Sequence, residues 1–551
     1  MAKSKKTRVA KGLSKRQLRV MLSILLALLL FSGLGVAAGN LGEHNPVRAS
    51  TVQATERLAV ASVSPLKSSS SSWYCSWYVP GSGALNRVSV LLANTSSSGM
   101  SATLKTYVGT SVQSRSLQIP PHSFLRYPEV VTPTGQSGAV SFVANGGGTV
   151  AELEISGPLG SAMAPCNSSP SAHWVVLGSS TLPGSEAGIS IFNPFGQDAV
   201  VDVAFSSALQ QFAPGALQGL VIAPHATDNI DLVKYFSGRS HVAVSVSTRI
   251  GRIVVSGVIA RNDKGDAGLS VMATFPALAS QWHFPLGELS SNQNQEVLVF
   301  NPNKFAVTVG VDFTYLDLEA VNAFSGSASA SSTTGAPTAS TTTAAAAPAK
   351  SSSAGMGATN SPYRLNQKIP ANSVAVISVK AQTAIATGKS YTATVNVQGG
   401  FGVVAGDEFI GSVSSPNARY QVVGGTPLTT RHWIALYDPS FLGLSNAEAW
   451  LATGVTGGSH PEVAKTPLVD LGPTYLAPSG QPPATLPVHQ ALLAQTTSRR
   501  ISKPKKLNSV GSLSPTVTGM IVSSNLPFVL GSVMGQNPED MYVVPVLPFA
   551  N

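Results

Sequence analysis

The chain has 551 residues, room for several domains with ordinary cores, and carries 35 Lys and Arg against 25 Asp and Glu. Eight of the basic side chains (Lys3, Lys5, Lys6, Arg8, Lys11, Lys15, Arg16 and Arg19) fall in residues 1–19, and the remainder holds 27 basic and 25 acidic residues. That near-neutral remainder excludes a nucleic-acid-binding body, and a charged content of only 11% does not fit a highly charged disordered chain.

The basic tail precedes an apolar run, Val20 to Ala38, of 19 residues without a charge. As a helix it would measure ~29 Å, close to the hydrocarbon thickness of a bilayer. The first acidic residue after it is Glu43, so the positive-inside rule puts residues 1–19 in the cytoplasm and the rest outside. The expectation is a single-pass plasma-membrane protein with an uncleaved signal-anchor and an N-terminal segment in contact with the membrane. Val36-Ala37-Ala38 also resembles a small-residue cleavage site, and secretion after cleavage near Ala38 stays open. Residues 39–72 read as a polar stalk.

Cys75 and Cys166 are the only cysteines and lie at the two edges of the first repeat described next. Outside the cytoplasm, where disulfides persist, one bridge between them would clip the ends of that repeat, and unpaired thiols stay open as the alternative.

A strand, an Asn-centred turn and a second strand recur at 88–108, 188–205 and 296–315, centred on Asn94, Asn193 and Asn301. A second line follows each: LQIPPHSFLRYPEV at 117–130, LVIAPHATDNIDLVKY at 220–235 and QKIPANSVAVISVKA at 367–381. It carries His122 in the first repeat, His225 in the second and Asn372 in the third. An alternating apolar hairpin closes each unit, and an aromatic segment opens it at Trp73–Tyr74, His173–Trp174 and Trp282–His283. Alternation of β-branched and aromatic residues gives strands with one buried face, and the Asn-Pro and Gly-rich steps supply turns. The fold class is therefore all-β: tandem β-sandwich-like modules after one N-terminal transmembrane helix. The modules are placed at 73–166, 173–263 and 282–430, the third with a flexible Ala/Ser/Thr-rich insert at 325–361. Residues 431–551 form a divergent C-terminal β region with a Pro-rich and basic linker.

The paired Trp73-Tyr74, the Phe192-Asn193-Pro194 and Phe300-Asn301-Pro302 steps, Pro120–Ser123 and the apolar Ile253–Val258 together resemble the repeat of the uncharacterised actinobacterial DUF5719 family. The first unit departs from that pattern, with Asn94-Thr95 in place of Asn-Pro. The resemblance implies a secreted or membrane-anchored envelope protein and assigns no activity.

Asn94, Asn193, Asn301, His122 and His225 read as structural repeat positions at turns. Asp228 with Asp231, and Asp407 with Glu408, read as solvated turn carboxylates, and neither a metal nor a cofactor is expected. Trp73, Trp77 and Tyr78 are candidates for contact with a glycan or else core aromatics packed beside Cys75, and the basic patch Arg499, Arg500, Lys503, Lys505 and Lys506 is a candidate for contact with an anionic envelope polymer or else a solvated linker. The function expected is a noncatalytic extracytoplasmic scaffold or binding module of the cell envelope, with a cell-wall glycan or an envelope protein as partner. A membrane-anchored accessory factor for envelope polysaccharide or lipid assembly is the alternative, and an extracytoplasmic enzyme comes third.

Overall fold

The structure, a computed structural model, describes residues 60–550 apart from 82, 128–135, 263–266, 289–292, 316–362, 383–389, 412–419, 428–429, 439–440, 442–447, 455–473, 479–495, 502–517 and 536–541. These residues are almost entirely β-strand. Three units share one topology. In each, eight strands divide into two antiparallel sheets, one in the order first, sixth, third, fourth and the other fifth, second, seventh, eighth.

In the first unit the sheets are Ser71–Trp77, Gly138–Ala144, Met100–Val108 and Ser111–Ile119, against Ser123–Tyr127, Arg87–Asn94, Thr149–Gly157 and Gly160–Pro165. The second unit repeats this with His173–Ser179, Val242–Ile250, Ala199–Ser206 and Gln218–Ile222, against Thr227–Asp231, Ser185–Phe192, Val254–Asn262 and Ala267–Val271. Two short strands, Gln211–Phe212 and Ala273–Phe275, extend its first sheet. The third unit places Gln281–Glu288, Ser390–Val397, Val307–Tyr315 and Tyr363–Ile369 against Ser373–Ser378, Gln293–Asn301, Val404–Gly411 and Tyr420–Gly424. The cores form where the inward faces meet. Val201, Val203 and Phe205 alternate along one strand and are fully buried, as the period of two demands.

Two recurring side chains hold each sandwich shut. The first strand carries a buried Trp whose indole donates to a backbone carbonyl at the start of the seventh: Trp73 to Thr149 O at 3.0 Å, Trp174 to Ile253 O at 2.8 Å and Trp282 to Val403 O at 3.1 Å. At the end of the second strand lies a fully buried Asn. Each Asn Nδ2 donates to three carbonyls: Asn94 to those of Ser98, Ile119 and Pro120, Asn193 to those of Gln197, Ile222 and Ala223, and Asn301 to those of Phe305, Ile369 and Pro370. Each Oδ1 accepts the amide N–H two residues on, from Ser96, Phe195 and Asn303. One amide thus satisfies the turn after the second strand and the end of the fourth strand, where backbone groups would otherwise be buried without partners.

A further β region runs from Thr430 to Pro548. Its long strand Thr518–Gly535 pairs with Thr430–Tyr437 along one part and with Glu448–Gly454 along another. It does not stand apart. Thr474–Pro478 joins the first unit beside Ser123–Tyr127 in parallel, and Val63 bridges Phe549 through Val63 N to Pro548 O at 2.9 Å and Ala550 N to Val63 O at 2.8 Å. Residues 60–72, read from sequence as the end of a stalk, are therefore part of the packed body, with Val63 wholly buried.

One expectation is corrected. No helix of the described residues is long and apolar enough to cross a membrane. Among the described residues, the helical segments Gly215–Leu217 and Leu232–Tyr235 have three and four residues, where a span needs about 20. The expected span Val20–Ala38 lies outside the described residues, as do the tail 1–19 and the insert 325–361. The described residues are thus all-β, with no transmembrane helix among them. The single-pass topology, the plasma-membrane location and the membrane contact of the N-terminal segment are withdrawn with it.

Asn193→Ala deletes the four hydrogen bonds of a fully buried side chain and is expected to cost about 3–4 kcal/mol. Urea unfolding with the disulfide intact measures this, and a cost under about 1 kcal/mol would show that the latch is dispensable.

Candidate functional site

The eighth strand of every unit lies at the edge of its sheet, and these edges converge. Gly160–Pro165 packs beside Ala267–Val271, which in turn packs beside Tyr420–Gly424. Ser270 Oγ accepts from Val422 N at 3.0 Å, and the backbone at Gly268 approaches that of Tyr420 so closely that a Cβ there would lie 2.5 Å from Tyr420 N. Tyr542–Val544 closes the junction. The Tyr542 hydroxyl accepts from Met163 N at 2.7 Å, and Gln421 bonds both N and O of Val543.

Between these strands lies a cavity of about 170 Å³. The bridged Cys75 and Cys166, with Met163, form its wall from the first unit, and Val271 to Phe275 form that from the second. His283, Phe284 and Gln421 to Thr426 contribute from the third unit, and Val543 to Pro548 from the C-terminal strands. Val60 and Ala61 complete it. The lining is mostly apolar, and several of its polar residues are engaged elsewhere. Asn167 exchanges backbone bonds with Tyr74, His283 exchanges them with Thr426, and the Gln421 side chain is spent on Val543. A dry cavity of ~150 Å³ accepts benzene, so this one fits a single ring or a short branched hydrocarbon.

Of the sequence candidates for ligand contact, Trp73 and Trp77 take the other reading, that of core aromatics. Trp73 and Trp77 are 1% and 0% exposed, and the Trp77 indole donates to Gln136 O at 3.0 Å. Both are core side chains without a free ring face. Tyr78 packs between units over Gly188, where a Cβ would lie 2.3 Å from the ring. Burial, with Asp231 and Glu186 nearby, pushes its hydroxyl up to about 12. Arg499 and Arg500 lie on Thr496–Ile501, opposite Leu451 and Trp450, while Lys503, Lys505 and Lys506 fall outside the described residues.

His122, His225 and Asn372 share a left-handed backbone, with φ of 45°, 56° and 50°, at the turn between the fourth and fifth strands. The amide of each donates to the turn that follows the second strand, at Ser96, Phe195 and Asn303. Asn and His are enriched among residues that tolerate this conformation, which accounts for both types at one position. His225 has a second use. Its ring stacks on Tyr107 of the first unit at 5.9 Å.

Charged side chains cluster at two seams that the sequence reading missed. Arg126 pairs with Glu154 at 3.0 Å and with the buried Asp438, and both Arg87 and Arg126 lie over the Phe441 ring. Burial raises the Glu154 pKa against the opposing pull of Arg126 and Ser89, and it raises Glu152 well above the usual carboxylate range. The other seam joins the second and third units. His241 Nε2 lies 3.0 Å from Glu296 Oε2 and 3.3 Å from Glu408 Oε2, and Arg261 Nη1 lies 3.2 Å from Glu408 Oε1. Glu408, read from sequence as a solvated turn carboxylate, is on a strand and 1% exposed. Of its companions in that reading, Asp231 caps the helical turn Leu232–Tyr235 and Asp228 accepts from Asn229 N. The three ligand-type atoms of His241, Glu296 and Glu408 lie within 4.8 Å of one another, which makes this the group able to hold a metal ion among the described residues.

Burial pulls the imidazole of His283 down to about 4 from an ordinary 6.5, so the ring at the cavity wall is neutral in the fold. A depressed histidine stabilises the fold fully above about pH 6.5, and that contribution is lost as pH falls toward 4, a change of roughly 3 kcal/mol. His283→Gln, which cannot titrate, is expected to flatten this part of the stability–pH profile in urea unfolding, and an unchanged slope would refute the assignment.

No curated protein matches the chain. Residues 148–281, from the start of the seventh strand of the first unit to the start of the third unit, match a family of unknown function, DUF5719.

Proposed function

We propose that the chain is a noncatalytic, extracytoplasmic binding scaffold of the cell envelope whose ligand engages the junction of its β units. The cavity walled by strands of four β regions carries this reading, because it combines concavity with a mostly apolar lining. The buried Cys75–Cys166 disulfide supports an oxidising compartment. The use of Asn94, Asn193, Asn301 and the opening Trp residues as backbone partners supports a scaffold over a catalyst. The envelope location that the resemblance to DUF5719 implies belongs to the same proposal.

The apolar lining favours a second reading, an accessory factor in envelope polysaccharide or lipid assembly. On this reading the cavity receives one branched hydrocarbon unit of a lipid-linked ligand, since its volume does not admit a whole lipid tail.

The test compares wild type with Ala164→Phe, which places a ring in the cavity beside Cys166. Each protein, with its disulfide intact, is sedimented with insoluble cell-wall glycan and separately incubated with tritiated farnesol. Glycan retention that Ala164→Phe abolishes is expected for the binding scaffold. Farnesol retention that weakens at least about tenfold in the variant is expected for the accessory factor. Retention of neither by wild type would sink both readings, and glycan retention indifferent to the substitution would move the site away from the junction.

A further inference from the structure

The geometry points to a zinc-class metal site formed by His241, Glu296 and Glu408, which clasps the second unit to the third. Three observations converge on it. Glu296 and Glu408 are direct partners in the register of Gln293–Asn301 with Val404–Gly411. Two carboxylates opposite one another on neighbouring strands repel, so the pairing calls for a cation between them. His241 comes from the other unit, immediately before Val242–Ile250, and turns Nε2 toward both carboxylates at 3.0 and 3.3 Å. A tetrahedral ion with bonds of ~2.1 Å has ligand atoms ~3.4 Å apart, close to these separations.

The surroundings fit a coordinated ion as well as the ligands do. Ser240 Oγ lies 3.0 Å from His241 Nδ1, so the ring is held by its other nitrogen, as metal-bound imidazoles commonly are. Arg261 engages Oε1 of Glu408. The second oxygen, Oε2, is buried, receives no well-aligned hydrogen bond, and faces His241.

The donor set chooses the metal class. One imidazole nitrogen and two carboxylate oxygens suit Zn²⁺ or a neighbouring first-row ion, whereas Ca²⁺ takes six to eight oxygens. His241 and Glu296 are 19% and 15% exposed at the side chain, which gives the ion a path from solvent and leaves room for a water ligand. Because the ligands come from two units, binding would strengthen their seam by mass action, stabilising the folded chain as free metal rises.

The rival arrangement is a protonated His241 that bridges the two carboxylates without an ion. Full-length protein with its disulfide intact, stripped with a chelator and dialysed, is titrated with Zn²⁺ by calorimetry, and with Co²⁺ to read the visible bands of a low-symmetry site. One Zn²⁺ per chain and a rise in the thermal midpoint are expected. Ser240→Ala should weaken binding about tenfold, and His241→Ala and Glu296→Gln by more. Glu296 is the more exposed carboxylate, so Glu296→Gln tests the site if His241→Ala does not fold. Absence of saturable Zn²⁺ uptake by wild type would overturn the proposal in favour of the protonated bridge. Uptake unchanged in the Glu296 and Ser240 variants would overturn it in favour of adventitious binding at other histidines.

Discussion

An unpaired sheet edge is a template for association with another chain, and the architecture turns on how three such edges are covered. In each unit the eighth strand has a neighbour on one side only. The units meet at these strands, and Tyr542–Val544 is laid against the first and third through backbone groups of Met163 and Val543. The cavity follows from this arrangement. Twisted edges from separate sheets do not fill the space between them, and the side chains they turn inward are apolar because each belongs to a half-buried strand.

Much of the repeat was legible in the sequence because its determinants are local. Asn94, Asn193 and Asn301 bond residues two and four positions ahead, and the same short sequence recurs around each. The longer bonds, to the end of the fourth strand, survive even in the third unit, where Asn301 and Ile369 lie 68 positions apart. The insert enters between the third and fourth strands and leaves the latch intact. The disulfide was legible too, since two cysteines at the edges of one repeat have no other partner among the chain's residues.

The site was not legible, and the reason is equally physical. Trp73 and Trp77 have the composition of a glycan platform, yet only the register of Ser71–Trp77 with Gly138–Ala144 and the sheet packed over it show that both rings are inside. Glu408 follows Asp407 near a Gly-rich turn and reads as solvated. Its burial depends on His241 and Arg261, which lie 167 and 147 positions away on another unit. Contacts between units leave no periodic trace in a sequence, because each is made once. The Tyr107–His225 stack, absent from the third unit where Asn372 replaces the ring, is an example of a repeat position given a single extra task.

The placement of Tyr542–Val544 and Val546–Pro548 bears on the order of assembly. These strands follow every other described strand in the chain, yet they contact the first unit, the third unit and Val63. Each eight-stranded sandwich holds its own Trp and Asn fastenings and can condense as soon as its eighth strand is made. The junction cannot. During synthesis the three edges wait, partly uncovered, until residues 542–549 emerge. The interval between the third sandwich and that last segment is therefore when the chain is most exposed to mispairing with another copy of itself, and the final few strands act as the seal that ends it.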